Sequence, residues 1–215
     1  MTSRFPSGVY GITPEWDDTE CLLQAVRAAA RGGMTALQLR RKTVSLPFKH
    51  LQARDVRDLC RELGVTFILN DHWRLAQELG ADGVHLGRDD GDLAAVRQNL
   101  GADMIIGASC YGDLERARQA LADGADYIAF GAVHPSPSKP QAPHIPLEVF
   151  GQARALVQAQ PEPRPRIVAI GGITPANAAE VVDAGADALA MISGLFEAPD
   201  VEAAARQCSA LFERR

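Results

Sequence analysis

The chain has 215 residues and a formal net charge of −5, and no basic run restores locally what the whole lacks, which argues against a general nucleic-acid surface. Nearly half of it, 47%, is apolar, enough for one core under a layer of helices, while the length leaves little for a second domain. With no apolar segment of signal-peptide or membrane-spanning length, the expectation is one soluble domain over residues 1–215, in the cytoplasm.

In chain order, short apolar runs fall at 9–13, 35–40, 66–70, 83–87, 104–109, 127–131, 166–172 and 188–194, most of them ending in polar or glycine residues. The segments between them carry helical spacing, as in Leu114, Ala117, Leu121 and again in Ala178, Val181, Val182. Eight strand-then-helix units predict an α/β fold, a single (β/α)8 TIM barrel, and put any chemistry after the strands, at the C-terminal mouth. Gly80-Ala81-Asp82, Gly124-Ala125-Asp126 and Gly185-Ala186-Asp187 each stand between a helical pattern and an apolar run, with a weaker echo at Gly32-Gly33. Glycine ends a helix in the left-handed conformation, so these repeats belong to the opposite face and their acids are expected to be structural, not metal ligands. Cys21, Cys60, Cys110 and Cys208 are widely spaced, form no C-x-x-C pair, and are expected as free thiols.

Several strand ends carry candidate chemistry. Gln38, Arg40 and Lys42 alternate with Leu39 and Arg41, so a continuing strand puts them on one face toward the mouth. Two cations and an amide there suit an anion, an ion cluster of the barrel core or a solvated strand end. Asn70-Asp71 closes the third run and Asp89-Asp90 follows the fourth; carboxylates from neighbouring strand ends suit Mg²⁺, and each also suits a helix N-cap. The sixth run opens into His134-Pro135-Ser136-Pro137-Ser138-Lys139-Pro140, within a proline-rich stretch over 135–146. That stretch reads as a phosphate-gripping flap or as a surface loop, whereas the proline-rich 161–165 precedes a strand and reads as a plain connection. Gly171-Gly172 after the seventh run and Ile192-Ser193-Gly194 after the eighth stand where barrels bind phosphate through bare backbone N–H groups. His85, inside the fourth run, reads as a hydrogen-bonded core residue, and Trp16 and Trp73 as packing residues.

Taken in order, Gln38-Leu39-Arg40-Arg41-Lys42, Asn70-Asp71, Gly83-Val84-His85-Leu86-Gly87 with Asp90, Ser109, Pro135-Ser136-Pro137-Ser138-Lys139-Pro140, Ala169-Ile170-Gly171-Gly172-Ile173 and Ile192-Ser193 resemble the thiamine-phosphate synthase family. The resemblance runs from roughly Gly8 to Phe212. It implies a TIM barrel that joins 4-amino-2-methyl-5-hydroxymethylpyrimidine diphosphate to a thiazole phosphate, releasing diphosphate with Mg²⁺ as cofactor. Carried over by position, it makes Arg40, Lys42, Asn70 and Lys139 diphosphate ligands and Asp71 and Asp90 the Mg²⁺ ligands. Gln38 and Ser109 then address the aminopyrimidine, Ser136 and Ser138 contact the phosphate-bearing substrates, and Gly172, Ile192 and Ser193 cradle the thiazole phosphate. The implied catalytic set is Arg40, Lys42, Ser109 and Lys139, and the implied partners are small phosphorylated molecules, with no nucleic acid and no membrane. Whether the barrel is a monomer or a homodimer, and whether the thiazole carries a carboxylate, stays open.

The chain departs from the family pattern at Arg41, where an acid is common, at Arg88, where glutamine is common, and at His134, where an aromatic is usual. The two arginines either add positive charge beside the diphosphate or point outward. The segment 142–146 also lacks a glycine often found there. Two other readings share the barrel. A thiazole tautomerase depends on a histidine after the fifth strand, where Tyr111 stands here; a silent barrel binds thiamine phosphates without turnover. The coupling itself needs no protein nucleophile, in keeping with the lack of an evident Cys–His or Ser–His–Asp pattern.

Overall fold

The structure, a computed structural model, describes residues 3–135, 141 and 143–213. Among these, eight parallel strands close into a barrel in sequence order, with the last pairing back onto the first: β1 (Gly8–Ile12), β2 (Met34–Leu39), β3 (Thr66–Asn70), β4 (Gly83–Leu86), β5 (Ile105–Tyr111), β6 (Tyr127–Phe130), β7 (Arg166–Ile170) and β8 (Ala188–Met191). The helices are α1 (Thr19–Arg31), α2 (Leu46–Leu63), α3 (Trp73–Leu79), α4 (Leu93–Leu100), α5 (Leu114–Ala122), α6 (Glu148–Gln158), α7 (Ala178–Asp183), α8 (Ser193–Phe196) and α9 (Val201–Ser209). Aspartates start several of them by accepting an N–H of the first turn, Asp18 from Cys21, Asp92 from Ala95 and Asp113 from Glu115 and Arg116. The (β/α)8 expectation is met. The fifth strand runs on to Tyr111 through a bulge, and the seventh stops at Ile170, before Gly171 and Gly172 take positive φ of 104° and 61°.

The repeated aspartates hold the N-terminal face. Asp82, Asp126 and Asp187 each accept, through a carboxylate oxygen, an N–H near the start of the preceding strand, from Phe67, Ile106 and Ile167 at 2.8–2.9 Å. Their backbone carbonyls accept from the strand beyond, at Ile105, Arg166 and Gly8. Arg97 and Arg154 pair with Asp126 and Asp187 at 2.6 Å, so the buried carboxylates are both hydrogen-bonded and neutralised. These acids are structural, as their place before the strands requires.

Strand alternation sorts the apolar side chains into two cores. Val9, Leu37, Leu69, Ile128 and Leu189 face outward beneath the helices, while Tyr10, Ala36, Ile68, Tyr127 and Val168 face into the barrel. Phe5, from the segment before β1, plugs the bottom: its ring stacks on Tyr127 at a centroid separation of 4.1 Å and meets Tyr10 edge-on at 5.0 Å. Tyr127 fits because Gly107 on β5 has no side chain; a Cβ there would lie 1.9 Å from the phenol ring. Above this plug the inward residues become small or polar, Ala129 and Ala190 beside Gln38, His85 and Ser109, and the mouth stays open.

Replacing Gly107 by alanine forces Tyr127 from its seat. We expect a loss of about 1–3 kcal/mol, the usual cost of overpacking a filled core, read from the urea midpoint. A midpoint equal to the wild type would mean that the ring is not fixed by this contact.

Candidate active site

The mouth holds a cavity of about 530 Å³, within the range of small-molecule sites. Of the residues expected to act, Gln38, Arg40, Lys42, Asn70, Asp71, Asp90, Ser109, Gly172, Ile192 and Ser193 all line it. Ser136, Ser138 and Lys139 lie outside the described residues.

One acid from the β1–α1 loop organises the cationic side. β2 ends at Leu39, so Arg40 and Lys42 sit on the loop that follows, and Glu15 fixes that loop by accepting from the Lys42 backbone N–H at 2.9 Å and from the Thr43 hydroxyl at 3.2 Å. Its carboxylate lies 3.5 Å from the Arg40 guanidinium. Thr13 adds a hydrogen bond to the Arg40 backbone N–H at 3.0 Å. Arg41 turns the other way: its side chain is wholly buried, donates to the Trp16 carbonyl and to Asp17, and lies over the Phe48 ring. It adds no charge to the cavity. Arg88 does, at the rim, with its guanidinium 4.9 Å above the Tyr111 ring and no carboxylate in ion-pair reach among the described residues. Tyr111 itself holds φ at 57°, an outlier for a bulky residue.

The acidic side faces these cations. Asp71 takes a left-handed φ of 65° at the end of β3 while its N–H bonds the His85 carbonyl, and its carboxylate lies 3.6 Å from the Lys42 ammonium. Neither Asn70 nor Asp71 caps α3 through its side chain, and the cap of α4 is Asp92, so the capping alternative fails for these acids. Asp90 folds back to accept the Gly87 N–H at 2.7 Å. Burial, with the Asp90 carboxyl hydrogen-bonded beside it, pushes Asp71 up to about 6, against the opposing pull of Lys42 and Arg40. Two carboxylates crowded together in this way are an apt donor pair for a divalent cation, and Mg²⁺ commonly takes one or two carboxylates and completes its shell with water and phosphate oxygens. The residues present fit that ion.

Opposite lies a glycine-lined cradle. Gly171 and Gly172 turn with positive φ, Asn177 pins the turn by donating to the Gly172 carbonyl at 3.0 Å and accepting from the Thr174 N–H at 2.8 Å, and α8 opens at Ser193. The first N–H groups of a helix have no partner within it, and Ser193 and Gly194 both border the cavity. The root of the 135–146 segment rests on this cradle: Val133 and His134 donate to the carbonyls of Ile170 and Gly171 at 3.1 Å, and His134 lies 3.2 Å from Glu180. A Cβ on Gly172 would lie 2.3 Å from the Pro135 carbonyl oxygen.

Between the cationic side and this cradle, the floor of the cavity is polar. His85 is nearly buried and hydrogen-bonded, as expected of a core histidine, yet it also lines the cavity, its Nε2 2.8 Å from the Ser109 hydroxyl and its Nδ1 2.9 Å from that of Tyr127. A Ser–His contact therefore exists where none was evident in the sequence. Its third member is the Tyr127 phenol, which burial holds well above the usual tyrosine range, where a catalytic triad has a carboxylate. All four cysteines are free, and burial pushes the thiols of Cys60 and Cys110 up to about 12. None of the four borders the cavity. Sequence reasoning missed Glu15, Asn177, Tyr10 and Tyr127; Tyr10 is the one polar side chain in β1, and Tyr127 the one in β6, which was the available signal.

A closed parallel barrel with a glycine-lined cradle after β7 and β8, and cations after β2, has the layout of a phosphate-handling (β/α)8 barrel enzyme. Residues 9–195 match the thiamine monophosphate synthase family. The chain is 64% identical over 211 residues to a thiamine-phosphate synthase of Bordetella pertussis, covering 98% of this chain and 97% of that one, and 50% identical to one of Chromobacterium violaceum over 97% of each. A thiamine phosphate pyrophosphorylase from Pyrococcus furiosus superposes with a TM-score of 0.83 at 34% identity, covering 98% of both chains. The chain belongs to the thiamine monophosphate synthase family.

Because the folded protein holds the Asp71 proton more tightly than the unfolded chain, folding loses stability as pH rises from about 4 through about 6, and the penalty is complete above that window. Asp71→Asn is expected to raise the melting temperature of the EDTA-treated protein at pH 7–8 by a few degrees and to leave it unchanged near pH 4. A gain independent of pH would refute the assignment.

Proposed function

We infer that this chain joins an aminopyrimidine methyl diphosphate to a thiazole phosphate, forming thiamine phosphate and releasing diphosphate. The observation that carries the reading is the placement of two anion-binding regions at opposite sides of one cavity, with a polar floor between them. Breaking the C–O bond to diphosphate leaves a pyrimidine methylene cation stabilised by the ring amino group, and negative charge gathers on the departing oxygens. Arg40, Lys42 and Asn70 meet that charge, with Lys139 added by the family pattern alone. At an effective dielectric of about 20, one unit charge pair at about 4 Å is worth roughly 4 kcal/mol, whereas a ten-thousandfold acceleration needs about 5.5 kcal/mol. A few preorganised cations are therefore enough.

Asp71 and Asp90 would hold Mg²⁺, which when bound neutralises part of the diphosphate charge. Glu15 keeps Arg40 and the Lys42 backbone in place before substrate arrives, so little reorganisation is needed at the moment of bond breaking. Gly172, Ile192 and Ser193 hold the thiazole phosphate through the cradle, which aims the ring nitrogen at the cationic carbon; Ser136 and Ser138 are assigned to the phosphate-bearing substrates by the family pattern alone. Gln38 and Ser109 orient the pyrimidine. A tautomerase reading has less support, since Tyr111, flanked by Arg88 and Arg116, stands where it needs an imidazole.

Incubating the protein with both substrates, with and without Mg²⁺, should give metal-dependent diphosphate release and a coupled product of the mass of thiamine phosphate. Binding of thiazole phosphate without coupling would favour the silent barrel. Asp90→Asn is expected to lower kcat/KM by about a hundredfold, the scale of losing one preorganised charge contact; full turnover would remove Asp90 from the metal site. Glu15→Ala should raise the KM for the pyrimidine diphosphate roughly fivefold, the order of one exposed ion pair at about 1 kcal/mol, and leave the KM for the thiazole phosphate unchanged.

A further inference from the structure

Arg88 stands at the cavity rim without a counter-charge among the described residues. It is exposed, on the turn after β4, and its guanidinium lies 4.9 Å above the Tyr111 ring, which also borders the cavity. A second guanidinium shares that ring, that of Arg116 at 5.9 Å, but it is tied into the wall by donating to the Ser109 carbonyl at 2.7 Å. The ring is itself held in an unfavourable way. Tyr111 takes a φ of 57° at the end of β5, past its bulge, while its carbonyl accepts from the Gly131 N–H at 3.0 Å, and the residue stays 38% exposed. Backbone strain of this kind gathers where a side chain serves a ligand.

The surroundings say which ligand this charge suits. Arg88 comes two residues before Asp90, whose carboxylate accepts the Gly87 N–H at 2.7 Å and so closes the turn that carries the guanidinium. In the closed strand order this places it on the Asp71–Asp90 side of the mouth, across from the glycine-lined cradle after β7 and β8. Two cations of that side are already answered, Arg40 by Glu15 at 3.5 Å and Lys42 by Asp71 at 3.6 Å. An aromatic face holds an exposed cation only weakly, so an anion can take Arg88 without breaking an ion pair. The planar fork of a guanidinium matches phosphate oxygens in pairs. The glutamine common at this position in the family pattern offers an amide and no charge, so the contact is an addition made by this chain.

We propose that Arg88, steadied by Tyr111, binds the outer phosphate of the pyrimidine diphosphate and so selects the diphosphate over the monophosphate. The proposal rests on the synthase reading, which puts the ring over Gln38 and Ser109 and the inner phosphate beside Arg40, Lys42 and Asn70, leaving the outer phosphate toward the rim. Arg88 is in this account a binding residue, and Tyr111 a positioning residue that acts through it. A carboxylate borne by the thiazole is the rival ligand, and it would reach Arg88 from the cradle side.

The test is calorimetry on the EDTA-treated full chain, comparing the pyrimidine methyl diphosphate with its monophosphate. Arg88→Gln should weaken the diphosphate about fivefold, the scale of one exposed charge contact, and leave the monophosphate within about twofold. With Mg²⁺ present, the KM for the diphosphate should rise by the same factor and that for the thiazole phosphate should not move. An equal loss for both pyrimidine esters, or no loss for either, would overturn the proposal, as would a loss confined to a carboxylated thiazole phosphate. Tyr111→Phe keeps the ring and should behave as the wild type, whereas Tyr111→Leu should lower the preference about twofold. Combined with Arg88→Gln it should cost no more than Arg88→Gln alone; additive losses would refute the positioning role. Because the contact is exposed, added salt should shrink the wild-type preference more than that of Arg88→Gln, and equal salt dependence would count against the contact. If the chain binds neither pyrimidine ester, the synthase reading falls, and inorganic diphosphate against orthophosphate puts the same question to Arg88 directly.

Discussion

Everything in this barrel is subject to the width of its own interior. Eight parallel strands enclose a space just wide enough to be filled by inward side chains, so a cavity exists only where those side chains are made small. The chain fills the lower part with three aromatic rings, Phe5, Tyr10 and Tyr127, and gives up side chains elsewhere to make that possible, most plainly at Gly107. The volume removed above, at Ala129 and Ala190, becomes the cavity. One ring of the aromatic layer that closes the bottom, Tyr10, also lines the site, and the Tyr127 hydroxyl bonds the His85 that lies in its floor. Packing and recognition here use the same atoms.

The mouth is built from charges that are already paired. Arg40 answers Glu15 and Lys42 answers Asp71, so the cations meet a ligand from fixed positions and with part of their field compensated. This moderates the self-repulsion of an empty cationic pocket and leaves room for an anion to displace the weaker contacts. Arg88 is held over an aromatic face and, among the described residues, not by a carboxylate.

The architecture was legible because period and punctuation agree along the whole chain: each apolar run is short, each helix has spacing of its own, and the Gly-Ala-Asp repeats mark one face. The candidate site was legible in its lining, since strand ends are where a barrel exposes residues. What sequence could not supply was pairing at a distance. Arg41 stands between two cavity-lining cations, and only contacts to Trp16 and Asp17, from another loop, reveal that it faces away. Asp90 suits a helix cap by its sequence, yet it accepts the Gly87 N–H, and Asp92 caps the helix by accepting from Ala95. His85 was read as a core residue and is one, but its partner Tyr127 lies on a strand far along the chain, and no local pattern announces a hydrogen bond between them.

The aspartate contacts at the closed end bear on how the molecule comes into being. The last of them, Asp187, offers its carbonyl to Gly8, joining the beginning of the chain to its end, and β8 then zips onto β1. That seam closes the largest loop the chain possesses, and loop-closure entropy must be met before its contacts repay it. During synthesis the first strand therefore waits with one edge open until nearly the whole polypeptide has left the ribosome. Until then the aromatic plug has no complete wall around it, and Phe5, Tyr10 and Tyr127 are surfaces that the emerging chain must keep covered by partial structure or by a chaperone.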